Sequence, residues 1–494
     1  MKRFPVILWL IALFLPIPGW NQFISIKTVP LATGDQFQVF PSRRMALGNL
    51  SIAVDDPWSD PFINPARGAR LNGVQVFTAP TFYSITKENG AGRSLPLGTL
   101  FHSGKWFGGF AVAGQQLNLA ERRQPPIFFP GTTDRQTQVT QGLSDKNPSN
   151  WYVFGLAGTR LGNSSLSVGG SLFYADLEAV EGTELLYASS VGVEQFGSLL
   201  DFRVGLFGEL SGERTVEALV LYNRYNMTHD VSYSLWQRCP ECTGPPEAVV
   251  VERNPDRTRT WGLHFRYTQP LATTSTTNWR VGGIFTFNRK SHPKIPNYEL
   301  MNIPRDPGNS YAFQFGLGLA GQSDKALFGM EVIYEPIWSN TWADAAEPVR
   351  TASGGTLPAG AKTVINDFQF GNWMLRLGLA PQERPFALRF GLEVHNIRYR
   401  LEQENRVQET FRKQRESWWE WSPSIGFALR YPGFNLDYAL RLTLGTGRPG
   451  LAIPFTERMA TASSDVLLAP AGELALDGAV VISHQVSLVI PIRE

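Results

Sequence analysis

From Leu71 onward, apolar and polar residues alternate with period two, the mark of β-strands with two unlike faces. The stretch "YAFQFGLGLA" puts Tyr311, Phe313, Phe315, Leu317 and Leu319 on one face, with Gln314, Gly316 and Gly318 on the other. After the turn "GQSDK", its partner "ALFGMEVIYE" sets Phe328, Met330, Val332 and Tyr334 against Glu331 and Glu335. In "PFALRFGLEVH" the polar face carries Arg389, Glu393 and His395. The same alternation places Arg266 in "WGLHFRYT", Arg280 in "WRVGGIFTF", Arg376 in "WMLRLGL", Arg430 in "GFALRY" and Arg441 in "DYALRLTL". It also runs through "SSLSVGGSLFYA" and through "DFRVGLFGEL", with Arg203 and Glu209. These segments predict an all-β, antiparallel chain of about 14 strands, within a range of roughly 12 to 16.

Such strands fit either a sandwich with its apolar faces paired inward or a transmembrane barrel with those faces turned to lipid. Three cues favour the barrel. Small residues (Gly316, Gly318, Ala387, Gly391) share the charged face, as a crowded lumen requires and a solvent face does not. Apolar faces often begin or end in an aromatic residue, such as Tyr311, Tyr334, Trp261, Trp373 or Tyr431, matching the girdles at membrane interfaces. Short turns such as "GNSS" and "SGER" alternate with long polar loops, as turns on one side of a membrane and loops on the other would. Outer-membrane lipids are then the surrounding partner, and the outer-membrane assembly machinery a transient one. The chain closes on "VSLVIPIRE", without the terminal aromatic residue that this machinery commonly reads.

Composition narrows the reading further. The 494 residues carry a net charge of +2, which supplies no basic face for nucleic acid. Aromatics at 12 %, with 47 glycines and 34 prolines, suit strands and turns. Lys2 and Arg3 followed by an apolar run to Ile17 read as a secretory signal peptide over residues 1–19, the other reading being an uncleaved anchor. Nothing later is apolar for long enough to form a membrane-spanning helix. The two cysteines, Cys239 and Cys242 in "RCPECTGPP", predict a disulfide clipping an exported loop. They lack the second ligand pair of a zinc site and the helix start of a redox motif.

Signatures of catalysis are missing. The letters GxGxxG from Gly316 to Gly321 fall inside a strand with no helix after them. The six histidines are scattered, with neither an HExxH run nor a GxSxG elbow in the chain. No enzyme, cofactor or metal is expected. The inward charges (Arg266, Arg280, Glu331, Glu335, Arg376, Arg389, Glu393, His395, Arg430, Arg441) read first as ion pairs bracing and wetting the lumen, and second as a site for an anionic head group. The segment Arg398–Trp421 reads as a solvated hairpin ending in girdle tryptophans Trp418, Trp419 and Trp421.

One stretch before the first strand, "SRRMALGNLSIAVDDPWSDPFINPARGARL", carries a family likeness. With Arg44, Met45, Gly48, Ala53, Asp55, Asp56 and the Asn64-Pro65-Ala66 triplet, it resembles the N-terminal region of FadL-like outer-membrane transport proteins. A related N-terminus occurs in PorV-like barrels. The resemblance implies that residues 20–70 fold into the barrel formed by 71–494 as a hatch, with Asp55, Asp56, Asn64, Pro65 and Ala66 as gating residues. It also implies passive transport of a hydrophobic or amphiphilic, fatty-acid-like ligand across a bacterial outer membrane. The alternative it carries is a PorV-like barrel that binds or shuttles a secreted protein.

Overall fold

The computed structural model describes residues 23–87, 89–119, 147–162, 165–183, 192–236, 247–273, 276–292, 308–345, 348–383, 385–449 and 476–492. The signal peptide and the expected Cys239–Cys242 disulfide lie outside the described residues.

The strands are β1 (Val74–Thr78), β2 (Thr81–Ile85), β3 (Ala91–Ser103), β4 (Trp106–Asn118), β5 (Ser149–Arg160), β6 (Leu166–Leu177), β7 (Gly192–Leu210), β8 (Arg214–Trp236) and β9 (Glu247–Thr273). There follow β10 (Asn278–His292), β11 (Gly308–Gln322), β12 (Ala326–Asp344), β15 (Lys362–Glu383), β16 (Phe386–Asn405), β17 (Thr410–Tyr431), β18 (Phe434–Pro449) and β19 (Leu476–Ile492). A small hairpin of β13 (Val349–Arg350) and β14 (Thr356–Leu357) tops the connection after β12. Each barrel strand pairs antiparallel with its sequence neighbour, and β19 returns to pair with β1 and β2. The sheet is a closed barrel.

β1 and β2 are two halves of one wall position, since both pair with β19 on one side and β3 on the other. Among the described residues the wall therefore has 16 positions, not the expected 14 or so. Stretches that could have merged or left the sheet each keep a partner on both sides, because a closed barrel leaves no edge. Between β1 and β2 the ladder lapses at Ala79 and Pro80, beside Pro96 of β3; prolines supply no N–H to bridge the seam.

The outward face is a band of exposed apolar side chains, among them Leu95, Phe110, Trp151, Phe265 and Leu317 at 71 % exposure. In water such a continuous surface would aggregate, whereas in a membrane it is the solvated side. A bilayer needs about 9–11 residues per tilted strand, and β9 has 27, so the longest strands rise well past it on the long-loop side.

The inward face has two halves of different chemistry. Around β9–β19 it is polar and charged, in keeping with the alternation. Around β3–β8 an apolar cluster takes up much of the lining, beside inward polar groups such as Gln115, Asn150, the Asp201–Arg203 pair and Glu217. Phe77 and Leu100 join Phe107, Tyr152, Phe154, Phe173, Leu199 and Met227 in one buried apolar cluster inside the barrel. Strand β5 is apolar on both sides, with Trp151 and Val153 exposed outward while Tyr152, Phe154 and Leu156 are buried inward.

Residues 23–71 run through this interior as irregular chain with three short helical turns, Arg44–Leu47, Asp60–Ile63 and Pro65–Arg70. The wall makes room with glycine. A methyl group at Gly169, Gly282, Gly316 or Gly318 would lie within 3.0 Å of Pro65 or Ile52, and one at Gly391 would collide with Gly48. Gly48 itself turns the chain at φ 61°, where a side chain would also be strained.

Candidate functional site: the barrel interior

The run Asp55–Arg70 is held by charges within itself and across to the wall. Asp55 accepts from Arg67 (2.9 Å), Arg70 (2.8 Å), Arg266 of β9 (2.7 Å) and Arg280 of β10 (3.0 Å). Glu217 of β8 takes Arg67 (2.8 Å), Arg266 (2.9 Å) and the Asn64 amide (3.0 Å). Asp60 pairs with both Arg44 and Arg67. Asp56 stays local, accepting from the Arg43 N–H (2.9 Å), the Trp58 N–H (3.2 Å) and the Ser59 hydroxyl (2.9 Å), and so shapes the turn before Asp60.

The Asn-Pro-Ala triplet has a plain physical role. Asn64 Oδ1 accepts the Ala66 N–H at 3.1 Å and caps the turn that Pro65 starts, while its Nδ2 donates to Glu217 and to the Leu206 carbonyl of β7. One side chain both begins the turn and ties it to the wall.

Burial alone would raise the Asp55 carboxyl, but Arg67, Arg266 and Arg70 outweigh it and hold the pKa well below the usual carboxylate range. Asp56 is lowered too, Arg43 and Arg44 overcoming its burial. Burial brings Arg43 down to about 10, which leaves it charged at neutral pH, stacked 3.6 Å over Trp58.

The inward charges predicted on β9–β18 fall into five groups. Arg266 and Arg280 meet at Asp55. Glu331 accepts the Ser51 N–H (2.6 Å) and the Ile52 N–H, with Arg376 at 3.7 Å and Glu393 beyond it, 2.6 Å from Arg376. His395 stands 3.5 Å from Glu335, which also takes the Gln314 amide at 2.7 Å. Arg389 and Arg430 share Asp437, and Arg441 pairs with Asp35 of the N-terminal segment. Asp437 shares the polar face of "DYALRLTL" with Arg441, whereas three other partners carry no signal in the sequence: Glu217, Asp35 and Glu420, the last at 2.9 Å from Lys27. Each is an ordinary polar residue until the barrel closes.

Trp418 corrects the girdle reading. It turns inward, its ring against Tyr399 and its N–H on Glu420, whereas Trp419 and Trp421 are exposed outward. Neighbours on a strand point to opposite faces, so Trp418 and Trp419 cannot share a girdle.

Above the Asp55 network lies a cavity of about 220 Å³. Phe37, Phe40, Phe62, Ile63 and Met374 give it an apolar side. Its polar side comes from Lys27, Asp35, Arg44, Glu335, Arg376, His395, Glu393, Glu420 and Arg441. The apolar side continues into the aromatic wall. Phe40 stacks on Phe62 at 4.2 Å, and each lies 5.1 Å from Phe154; Phe62 is 5.4 Å from Phe77. Among the described residues no group of His, Cys, Asp and Glu is arranged to hold a metal.

No family model and no curated protein matches the chain. Solved structures that match the chain include a hydrocarbon channel and two toluene transporters. The CymD monoaromatic hydrocarbon channel is 11 % identical at a TM-score of 0.36, covering 94 % of this chain and 100 % of its own. The Ralstonia pickettii toluene transporter TbuX is 11 % identical at 0.36, covering 92 % and 100 %. The Pseudomonas putida toluene transporter TodX is 10 % identical at 0.39, covering 94 % and 100 %.

Proposed function

We propose that the protein is an outer-membrane channel for passive passage of hydrophobic small molecules, with residues 23–71 as the described part of a hatch across its lumen. The observation that carries this reading is the aromatic inner wall of β3–β8, which runs without a break into the cavity through Phe40 and Phe62. A channel for polar solutes has no use for such a surface, since a polar lumen is what water and ions require.

The cavity also favours a cargo class. An apolar void of about 150 Å³ holds one benzene, so this space takes a ring-sized molecule with the hatch in place, while a long acyl chain requires the hatch to move. Its cations are already matched: Lys27 with Glu420, Arg44 with Asp60, Arg376 with Glu393 and Arg441 with Asp35. A carboxylate would have to break one of these pairs. Neutral, ring-sized hydrophobic molecules are therefore preferred over fatty acids.

Ligand-detected NMR on the detergent-solubilised protein tests this with toluene and palmitate as probes. Saturation transfer to toluene, lost in Phe154→Arg, is expected. Absence of transfer to either probe would refute the channel reading, and transfer to palmitate alone would refute the cargo preference.

A further inference from the structure

Four arginines stand together on the outer surface of the wall, facing away from the lumen. Arg224 of β8 lies directly across from Arg259 of β9, and Arg257 follows two residues further along β9. Arg289 of β10 pairs in register with Trp261, two residues before the Arg224–Arg259 level. All four side chains are exposed. On the outward faces of these strands Asp230 is taken by Arg253 at 2.7 Å and Arg224 donates to the neutral Asn226 amide oxygen at 2.8 Å, and no ion pair among the described residues neutralises the four.

Two features make this more than a solvated face. Like charges directly opposite on neighbouring strands destabilise a sheet, and Arg224 and Arg259 are such a pair at the centre of the group. The group also sits at a defined height. Tyr222 and Trp261 pack outward at 4.7 Å between ring centres, with exposed apolar residues Leu263, Phe265 and Tyr267 continuing from Trp261 toward the short-turn end. An aromatic pair at the end of an apolar band marks the membrane interface, and one two-residue step along a strand is about 7 Å. The arginines therefore lie in the head-group layer on the long-loop side. At the short-turn end the exposed charges come in both signs, with Lys105, Arg160 and Arg214 beside Glu209 and Glu213.

We propose that Arg224, Arg257, Arg259 and Arg289 form a binding site for net-anionic, phosphate-bearing lipid head groups in the long-loop leaflet. Guanidinium forks bind phosphate oxygens in pairs, and an anion between Arg224 and Arg259 removes their repulsion. The site fixes how deep and which way up the barrel sits. It rests on the barrel's placement in a membrane and is independent of what the lumen carries.

The test reconstitutes the full-length protein into nanodiscs of phosphatidylcholine containing a minor fraction of phosphatidylglycerol, then extracts it and counts retained lipids by native mass spectrometry. Wild type is expected to retain phosphatidylglycerol over phosphatidylcholine. The Arg224→Gln/Arg259→Gln variant should lose about fivefold of that preference per charge removed, and Arg224→Lys/Arg259→Lys should keep most of it. Arg160→Gln/Arg214→Gln, at the other end, should behave as wild type. Retention without preference in wild type, or equal loss in the short-turn variant, would overturn the site. Displacement of the lipid by millimolar inorganic phosphate would overturn its assignment to lipid. Failure to enter nanodiscs of any composition would instead count against the membrane placement itself.

Discussion

Asp55→Asn is the sharpest perturbation of the lumenal segment 23–71, because one carboxylate there gathers four arginines from the segment and the wall. The amide keeps the size and removes the charge. Stripping one partner from a buried ion pair costs about 3–5 kcal/mol. Asp55 is 21 % exposed, and Arg67, Arg70 and Arg266 retain Asp60, Glu217 or Glu209, so the low end applies: about 3 kcal/mol. That cost falls on docking of the segment, since the wall strands keep their ladders, and it multiplies the open fraction by about a hundredfold. Amide hydrogen exchange in detergent reads this directly. Residues 44–70 should exchange about a hundredfold faster in the variant, with β15–β17 unchanged. The acid dependence follows from the same carboxylate. A depressed pKa contributes stability that is complete above the unfolded value of 3.8 and is lost as pH falls through the lower folded value. Wild-type protection, corrected for intrinsic rates, should therefore be flat from about pH 5 to 8 and weaken only below about 3.8. Exchange within about threefold of wild type in Asp55→Asn, or equal acceleration in the lumenal segment and the wall, would refute the argument.

Other perturbations separate the parts. Glu209→Gln removes a half-exposed pair with Arg70 and should change exchange in residues 44–70 by less than about threefold, as surface pairs do. Gly391→Val, measured by the same exchange experiment, should loosen residues 46–50 because its side chain enters the space of Gly48. Phe154→Ala should lower thermal stability by about 3–5 kcal/mol equivalent in denaturant titration and weaken toluene binding, since it opens the aromatic wall where Phe40 and Phe62 meet it. If the β1–β2 seam is an exit for cargo, Pro80→Ala/Pro96→Ala, which restores N–H groups there, should leave the barrel folded and slow uptake of labelled toluene by expressing cells; unchanged uptake would refute that role for the seam.

How much of this was legible from sequence depends on how local the cause is. Side-chain direction along a strand is set by backbone geometry residue by residue. Arg376, Glu393 and His395 therefore declared their common face from spacing alone, and the same rule, applied strictly, assigns Trp418 inward. Cap chemistry is local as well: Asn64 before Pro65 announces a turn start wherever it falls. Strand β5 had no such clarity. "WYVFGLA" is apolar at almost every position, so alternation could not say which side faces lipid.

The sequence by itself determined the period-two strands, their inward charges and the turn-rich run that precedes them. Closure decided that the wall has 16 positions, that Phe107, Tyr152, Phe154 and Phe173 join one apolar cluster inside it, and that Asp55 meets Arg266 and Arg280. Period and capping arise within a few residues of chain. Closure brings together groups more than 200 residues apart, and nothing local at Asp55 or Glu217 distinguishes a future partner from any other carboxylate.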